Sequence, residues 1–384
     1  MASDLEEGAV LSDVHIDVHP SNQKSHGEFT LTVFNFTVPQ SDNNSSDSED
    51  DSDSEEIREP EAKCLRTAEE TVCVDEDGDL VLQRRKTNCT EMEVHIQHAM
   101  ATPLDTVGLQ VWRGALLMCD FILHNQDVFK SHSILELGGG VGLVSIVAGA
   151  VGASKVYCTD IGDRLLELCR ENVSRNEHLF QPLSASDKKV VVKRLDWLEE
   201  EFQKVDETEK SCVKSLSEWT KADLEDLEKN VDIILAADVA YDNELTDGFF
   251  KSVFNLITCG QPKTLYVALE RRYNFTLEDL DVTCKSYDHF RKCLCDLEGV
   301  YECIEESADS ESSSQAKIQS SEWSKITESQ KEEIGRKEHR AEPIRFLEVK
   351  SEQVSTDFPQ YSDYTRVKEL ELWKVSSKFL SLDS

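Results

Sequence analysis

One stretch near the middle of the chain, Ser133 to Val147 (SILELGGGVGLVSIV), limits the possible folds more than any other. An apolar strand pattern ends in Gly138-Gly139-Gly140-Val141-Gly142 and passes straight into an apolar helical pattern. Glycine reaches positive φ and lets a backbone approach a ligand closely, at a cost in folding entropy. The N-terminus of the helix that follows favours negative charge. A tight turn without a ligand would fit the same residues, but four glycines within five positions are a destabilising way to build one.

The surrounding pattern is of the kind that uses such a turn. Short apolar runs at Ser133–Leu137, Lys155–Thr159, Val190–Leu195, Val231–Ala236 and Thr264–Leu269 alternate with helix-length segments. Strands separated in this way predict a parallel sheet with helical crossovers. Before them, Trp112, Ala115, Leu116, Cys119, Ile122 and Leu123 recur at helical spacing. After them, Ile344–Val349 and Leu370–Val375 are apolar enough to close the sheet as a hairpin. The expected fold is α/β, a Rossmann-like sheet of seven strands, five parallel and the last antiparallel. Val94–Thr106 is expected to form a small hairpin lid against it. Two polar insertions interrupt the pattern, near 199–230, with a helix over Ser217–Lys229, and near 305–340.

Residues 1–93 read as a separate acidic extension and 94–384 as the globular domain. Ser41–Glu56 contains only Ser, Asp, Glu and Asn, so nothing there offsets the entropy of ordering. Within the extension, Glu28–Val38 alternates at period two as a strand does, and Val72–Leu82 reads as a hairpin around Asp77-Gly78. A calcium loop over Asp75, Asp77 and Asp79 fails because its required Gly and Glu positions hold Leu80 and Lys86. The chain has 41 basic and 76 acidic residues, a net charge of −35. Such a surface repels phosphate backbones, so direct nucleic-acid binding is not expected and basic protein segments are the better partner. No run of eighteen apolar residues suggests a membrane span, and no secretory signal opens the chain. An intracellular protein, nuclear or cytoplasmic, is expected, as a monomer. Its 12 cysteines show no C-x-x-C pair, so reduced core thiols are expected and no metal site.

The strand ends carry the chemistry. A dinucleotide frame G-x-G-x-x-G/A read from Gly140 puts Ser145 in its last position, an imperfect match. Glu136, two residues before the first glycine, is unfavourable beside a pyrophosphate and favourable beside a sulfonium amino acid. The balance favours S-adenosylmethionine over a nicotinamide cofactor. Asp160 ends the second strand, where an acid can hold ribose hydroxyls in either class, or cap the helix near Arg164. Asp196 and Trp197 end the third, where an acid and a ring can hold an adenine amine and face. Ala237, Asp238 and Tyr241 follow the fourth strand, at the ligand end of an open parallel sheet. Asp238 could instead cap the helix near Glu244.

Taken together, Trp112, ELGGGVG at 136–142, Asp160, Leu195-Asp196-Trp197 and Asp238-x-x-Tyr241 resemble the seven-β-strand protein lysine methyltransferases of methyltransferase family 16. The likeness covers roughly residues 94–375 and leaves the acidic N-terminal part outside. Gly-Gly-Gly stands where many members have Gly-Ala-Gly. The resemblance implies a class I methyltransferase fold. It further implies that Trp112, Gly138, Gly139, Gly140, Asp160, Trp197 and Ala237 line an S-adenosylmethionine pocket. Asp238 and Tyr241 would then stand beside an acceptor lysine of a protein substrate. An inactive cofactor-binding scaffold and a nicotinamide oxidoreductase are the competing readings.

Overall fold

The computed structural model describes residues 9–12, 14, 23–26, 28–39, 72–74, 80–82, 89–180, 188–199, 217–276, 281–304, 322–325 and 345–380. The tract at 41–56 lies outside these residues. Two compact units are present, one formed by Met1–Phe36 with Met92–Ser384 and the other by Thr37–Glu91. In the smaller unit, Val72–Val74 pairs antiparallel with Leu80–Leu82, as expected.

In the larger unit the central strands are β1 (Ser133–Leu137), β2 (Lys155–Asp160), β3 (Val190–Arg194), β4 (Val231–Ala237), β5 (Thr264–Glu270), β6 (Gly299–Ile304), β7 (Glu322–Lys325), β8 (Arg345–Val354) and β9 (Leu370–Phe379). Their order across the sheet is β3-β2-β1-β4-β5-β9-β8-β6-β7. The first five are parallel, and β9 lies antiparallel against both β5 and β8. The parallel core and closing hairpin follow the sequence expectation. The strand number does not. Among the described residues nine strands make this sheet, because β6 and β7 extend it beyond the hairpin. β7 lies inside the polar insertion near 305–340.

The helices that position the site are α1 (Arg113–His124), α2 (Leu143–Ala150), α3 (Asp163–Arg175), α4 (Lys221–Lys229), α5 (Asn243–Ile257) and α6 (Lys285–Leu297). Parallel strands covered on both faces read as continuous apolar runs, and β1 and β4 do: Ile134, Leu135, Leu137, Ile234, Leu235 and Ala236 are all buried. Each large aliphatic side chain removed from water contributes about 1.5–3 kcal/mol. Leu104–His124 is long and apolar enough to pass as a membrane span by length and composition, but most of its apolar residues are buried inside the fold. Its apolar character therefore belongs to the core.

Two expectations for the N-terminal region need correction. The boundary at residue 93 falls within a strand, Cys89–His98, rather than in a linker. That strand lies in a three-stranded sheet with Gln23–His26 and Phe29–Pro39, and Ala101–Thr102 pairs with Val10–Leu11. Val94–Thr106 is thus not a self-contained hairpin lid. Its partners lie far upstream, and the His98 imidazole meets the Thr32 hydroxyl at 2.8 Å. Burial lowers the His98 pKa.

Candidate active site

Trp112, Glu136, Gly138, Gly139, Gly140, Asp160, Asp196, Trp197, Ala237, Asp238 and Tyr241 all line one cavity of about 490 Å³ at the C-terminal ends of the parallel strands. That volume falls within the range of small-molecule sites. The segment from Leu104 to Val111, with Glu270, Arg272, Tyr287 and Phe290, completes the walls and was not among the residues expected from the sequence. They come from distant parts of the chain and carry no local motif.

The glycine turn is held from two sides. The Gly139 N–H donates to the Thr159 carbonyl at 2.9 Å, tying the turn to β2. The Gly140 N–H donates to Asp160 Oδ2 at 2.8 Å, and the Ile161 N–H to Oδ1 at 2.8 Å. Asp160 therefore braces the turn and does not cap α3, whose N-cap is Gly162. Gly138 and Gly140 have φ of +70° and +54°, the left-handed region that glycine adopts without strain. A Cβ on Gly138 would lie 2.8 Å from Val239 and 3.1 Å from the Trp197 ring. One on Gly140 would come to 3.0 Å from the Gly108 carbonyl oxygen. Space and backbone both demand glycine here, leaving a cradle that a bound nucleoside could enter.

Glu136 is 1% exposed, and its Oε2 accepts a hydrogen bond from the Ser145 hydroxyl. Burial pushes its carboxyl up to about 7, against the pull of the Ser145 donors. Burial likewise raises Asp160 to about 6, opposed by the Ile161 and Gly140 amides. Trp197 packs edge-on against Phe249, with ring centroids 5.4 Å apart. Asp196 is engaged by its own neighbours, accepting from the Leu198 N–H at 3.1 Å and from Arg194 at 3.2 Å. The Trp112 indole N–H donates to the Val107 carbonyl at 3.0 Å, while the Arg272 guanidinium lies over its ring at 4.4 Å.

Asp238 takes a role that its sequence position did not suggest. The cap of α5 is Asp242, whose side chain accepts from the Leu245 N–H at 3.0 Å. Asp238 instead accepts the Gly114 N–H on Oδ2 at 2.7 Å and the Glu270 N–H on Oδ1 at 2.9 Å. The N-cap of α1, Trp112, has no side-chain cap of its own, so Asp238 supplies one from across the cavity. Its φ of +51° is strained for a residue with a Cβ and is held by these bonds and by its own N–H to the Ala268 carbonyl at 2.8 Å. Tyr241 sits at the cavity mouth, 41% exposed. Burial and the charges of Asp160 and Asp242 push its phenol up to about 12.

A family model described as lysine methyltransferase matches residues 90–213. The chain is 35% identical to human methyltransferase-like protein 22, over 85% of this chain and 70% of that protein. Against mouse methyltransferase-like protein 22 the identity is 36%, over 79% of this chain and 64% of that protein. It is also 27% identical to the mouse protein-lysine N-methyltransferase EEF2KMT, over 57% of this chain and 60% of that protein. The chain thus spans under two thirds of the length of the mouse relatives. With a glycine turn braced by Asp160 and an Asp238-x-x-Tyr241 strand tip in one cavity, and with these likenesses along most of its length, the chain belongs to the lysine methyltransferase family.

Proposed function

We propose that this protein transfers a methyl group from S-adenosylmethionine to a lysine ε-amine of a protein substrate. The observation that carries the reading is the convergence of the Asp160-braced glycine turn and the Asp238–Tyr241 strand tip in one cavity. Gly138, Gly139 and Gly140 would admit the nucleoside, Asp160 would accept its ribose hydroxyls, and Trp197 would cover its base. When bound, the cofactor supplies an activated methyl on a sulfonium.

The chain's own residues must supply alignment and a neutral amine. A free lysine has a pKa near 10.4, so little of it is neutral at pH 7, and burial lowers that value. Tyr241, with its phenol raised to about 12, stays protonated at neutral pH. It can orient the amine by a hydrogen bond but does not act as a phenolate base. Asp238 holds both oxygens on backbone amides and draws in the cationic lysine through its charge, using its remaining lone pairs. On this reading Asp238 and Tyr241 position the acceptor, and the proton leaves by way of solvent.

The net charge of −35 favours a basic segment as the substrate. Calorimetric titration with S-adenosylhomocysteine and with NAD tests the cofactor. Mass spectrometry of a basic lysine peptide incubated with S-adenosylmethionine tests the reaction. Binding of NAD alone would overturn the assignment, and cofactor binding without peptide methylation would leave a scaffold.

A further inference from the structure

A second group of donor atoms lies between α5 and α6. Asp247 comes from α5, and His289 and Cys293, four residues apart on one face of α6, come from the helix packed against it. None of the three lines the cavity. Cys293 Sγ lies 3.6 Å from His289 Nε2 and 3.5 Å from Asp247 Oδ1, and His289 Nε2 lies 2.8 Å from that same oxygen.

These separations can be compared with those that a tetrahedral zinc imposes. With Zn–S near 2.3 Å and Zn–N and Zn–O near 2.0–2.1 Å, ligand atoms sit about 3.5 Å apart when one is sulfur and about 3.3 Å apart otherwise. Both sulfur separations already match. Only the imidazole–carboxylate pair must open, by about half an ångström. A thiolate, an imidazole and a carboxylate form a set of the kind that zinc favours.

We propose that Asp247, His289 and Cys293 form a zinc-binding site, with water as the fourth ligand. On binding, three protein–metal bonds form, the Cys293 thiol proton passes to solvent, and the His289–Asp247 hydrogen bond breaks. No group is oxidised or reduced. C-x-x-C spacing could not reveal such a site, because its ligands come from two helices. Tyr287 and Phe290 of α6 line the cavity, so zinc would pin a wall of the catalytic pocket from outside it. The inference does not rest on methyl transfer.

The bland account of the same contacts is a His–Asp ion pair between helices, and cobalt(II) distinguishes the two. The full chain, stripped with chelator, is titrated with cobalt(II) and followed by its near-ultraviolet thiolate charge-transfer band. Wild type is expected to bind one equivalent more than either Cys293→Ser or His289→Ala. Zinc is expected to raise the melting temperature of wild type but not of these variants. Asp247→Asn, at an exposed position that leaves the fold intact, should weaken cobalt affinity at least about tenfold. Equal cobalt stoichiometry and equal zinc shifts in wild type and variants, or unchanged affinity in Asp247→Asn, would overturn the site.

Discussion

The Asp238→Asn variant is informative because the carboxylate has two separable duties. One oxygen accepts the Gly114 N–H at 2.7 Å and the other the Glu270 N–H at 2.9 Å. An asparagine can offer its oxygen to one of them, but its amide N–H₂ then faces the other donor. One charge-assisted bond is lost, a penalty of about 1.5–3 kcal/mol. In a unit of this size that should lower the melting temperature by roughly 2–4 °C. If the carboxylate only capped a helix of its own chain segment, asparagine would be nearly silent, since it is an equally good N-cap. Melting by calorimetry, S-adenosylhomocysteine affinity and single-turnover methyl transfer should be measured on one preparation. The expected pattern is a lower melting point, retained cofactor affinity and a far slower reaction at temperatures where the variant is fully folded. An unchanged melting point would refute the two backbone bonds, and an unchanged rate would remove Asp238 from the reaction.

Further perturbations test the cavity from other directions. Gly138→Ala is expected to lose cofactor affinity and to cost roughly 1–2 kcal/mol of stability, because it places a Cβ at φ +70° against Val239; wild-type calorimetric affinity would show the cradle misassigned. Gly114→Ala puts a Cβ 2.6 Å from Asp238 Oδ2 and should slow methyl transfer while leaving cofactor affinity intact; normal turnover would mean that the Asp238 contact is dispensable. Glu136 has a folded pKa of about 7, above its ordinary 4.5, so its buried charge opposes folding above pH 7 and this cost fades as pH falls towards 4.5. Glu136→Gln should therefore flatten the pH dependence of melting between pH 7 and 4.5, and an unchanged profile would contradict the burial. Asp160 must be ionised to hold ribose hydroxyls, so S-adenosylhomocysteine affinity should fall by up to about tenfold per pH unit below its folded value of about 6. A flat binding profile down to pH 5 would refute that role.

Much of this architecture can be read from the sequence, because parallel strands buried on both faces leave continuous apolar runs. Val231–Ala237 and Thr264–Glu270 match the expected spans to within a residue. The Asp160 and Asp238 positions are legible for the same reason, since a strand's end fixes which side of the sheet its next residue meets. Strand β6, Gly299–Ile304, escapes notice because its short GVYECI run borders a polar insertion and its pairing partner begins at Arg345. The strand Phe29–Pro39 is visible, but its place in the larger unit is not, since an acidic tract separates it from Cys89–His98. The trans cap of α1 is invisible for a related cause: Gly114 and Asp238 are 124 residues apart, and no local pattern announces their meeting.

That cap also equips the protein with a native spectroscopic probe. The proton on the Gly114 nitrogen points at the carboxylate that would receive an incoming ammonium. Its chemical shift and its exchange with deuterated solvent should therefore report the occupancy of the acceptor pocket, with no label on the substrate. An isotope-enriched sample titrated with candidate peptides could rank them by the displacement of a single resonance before any methyl group has moved.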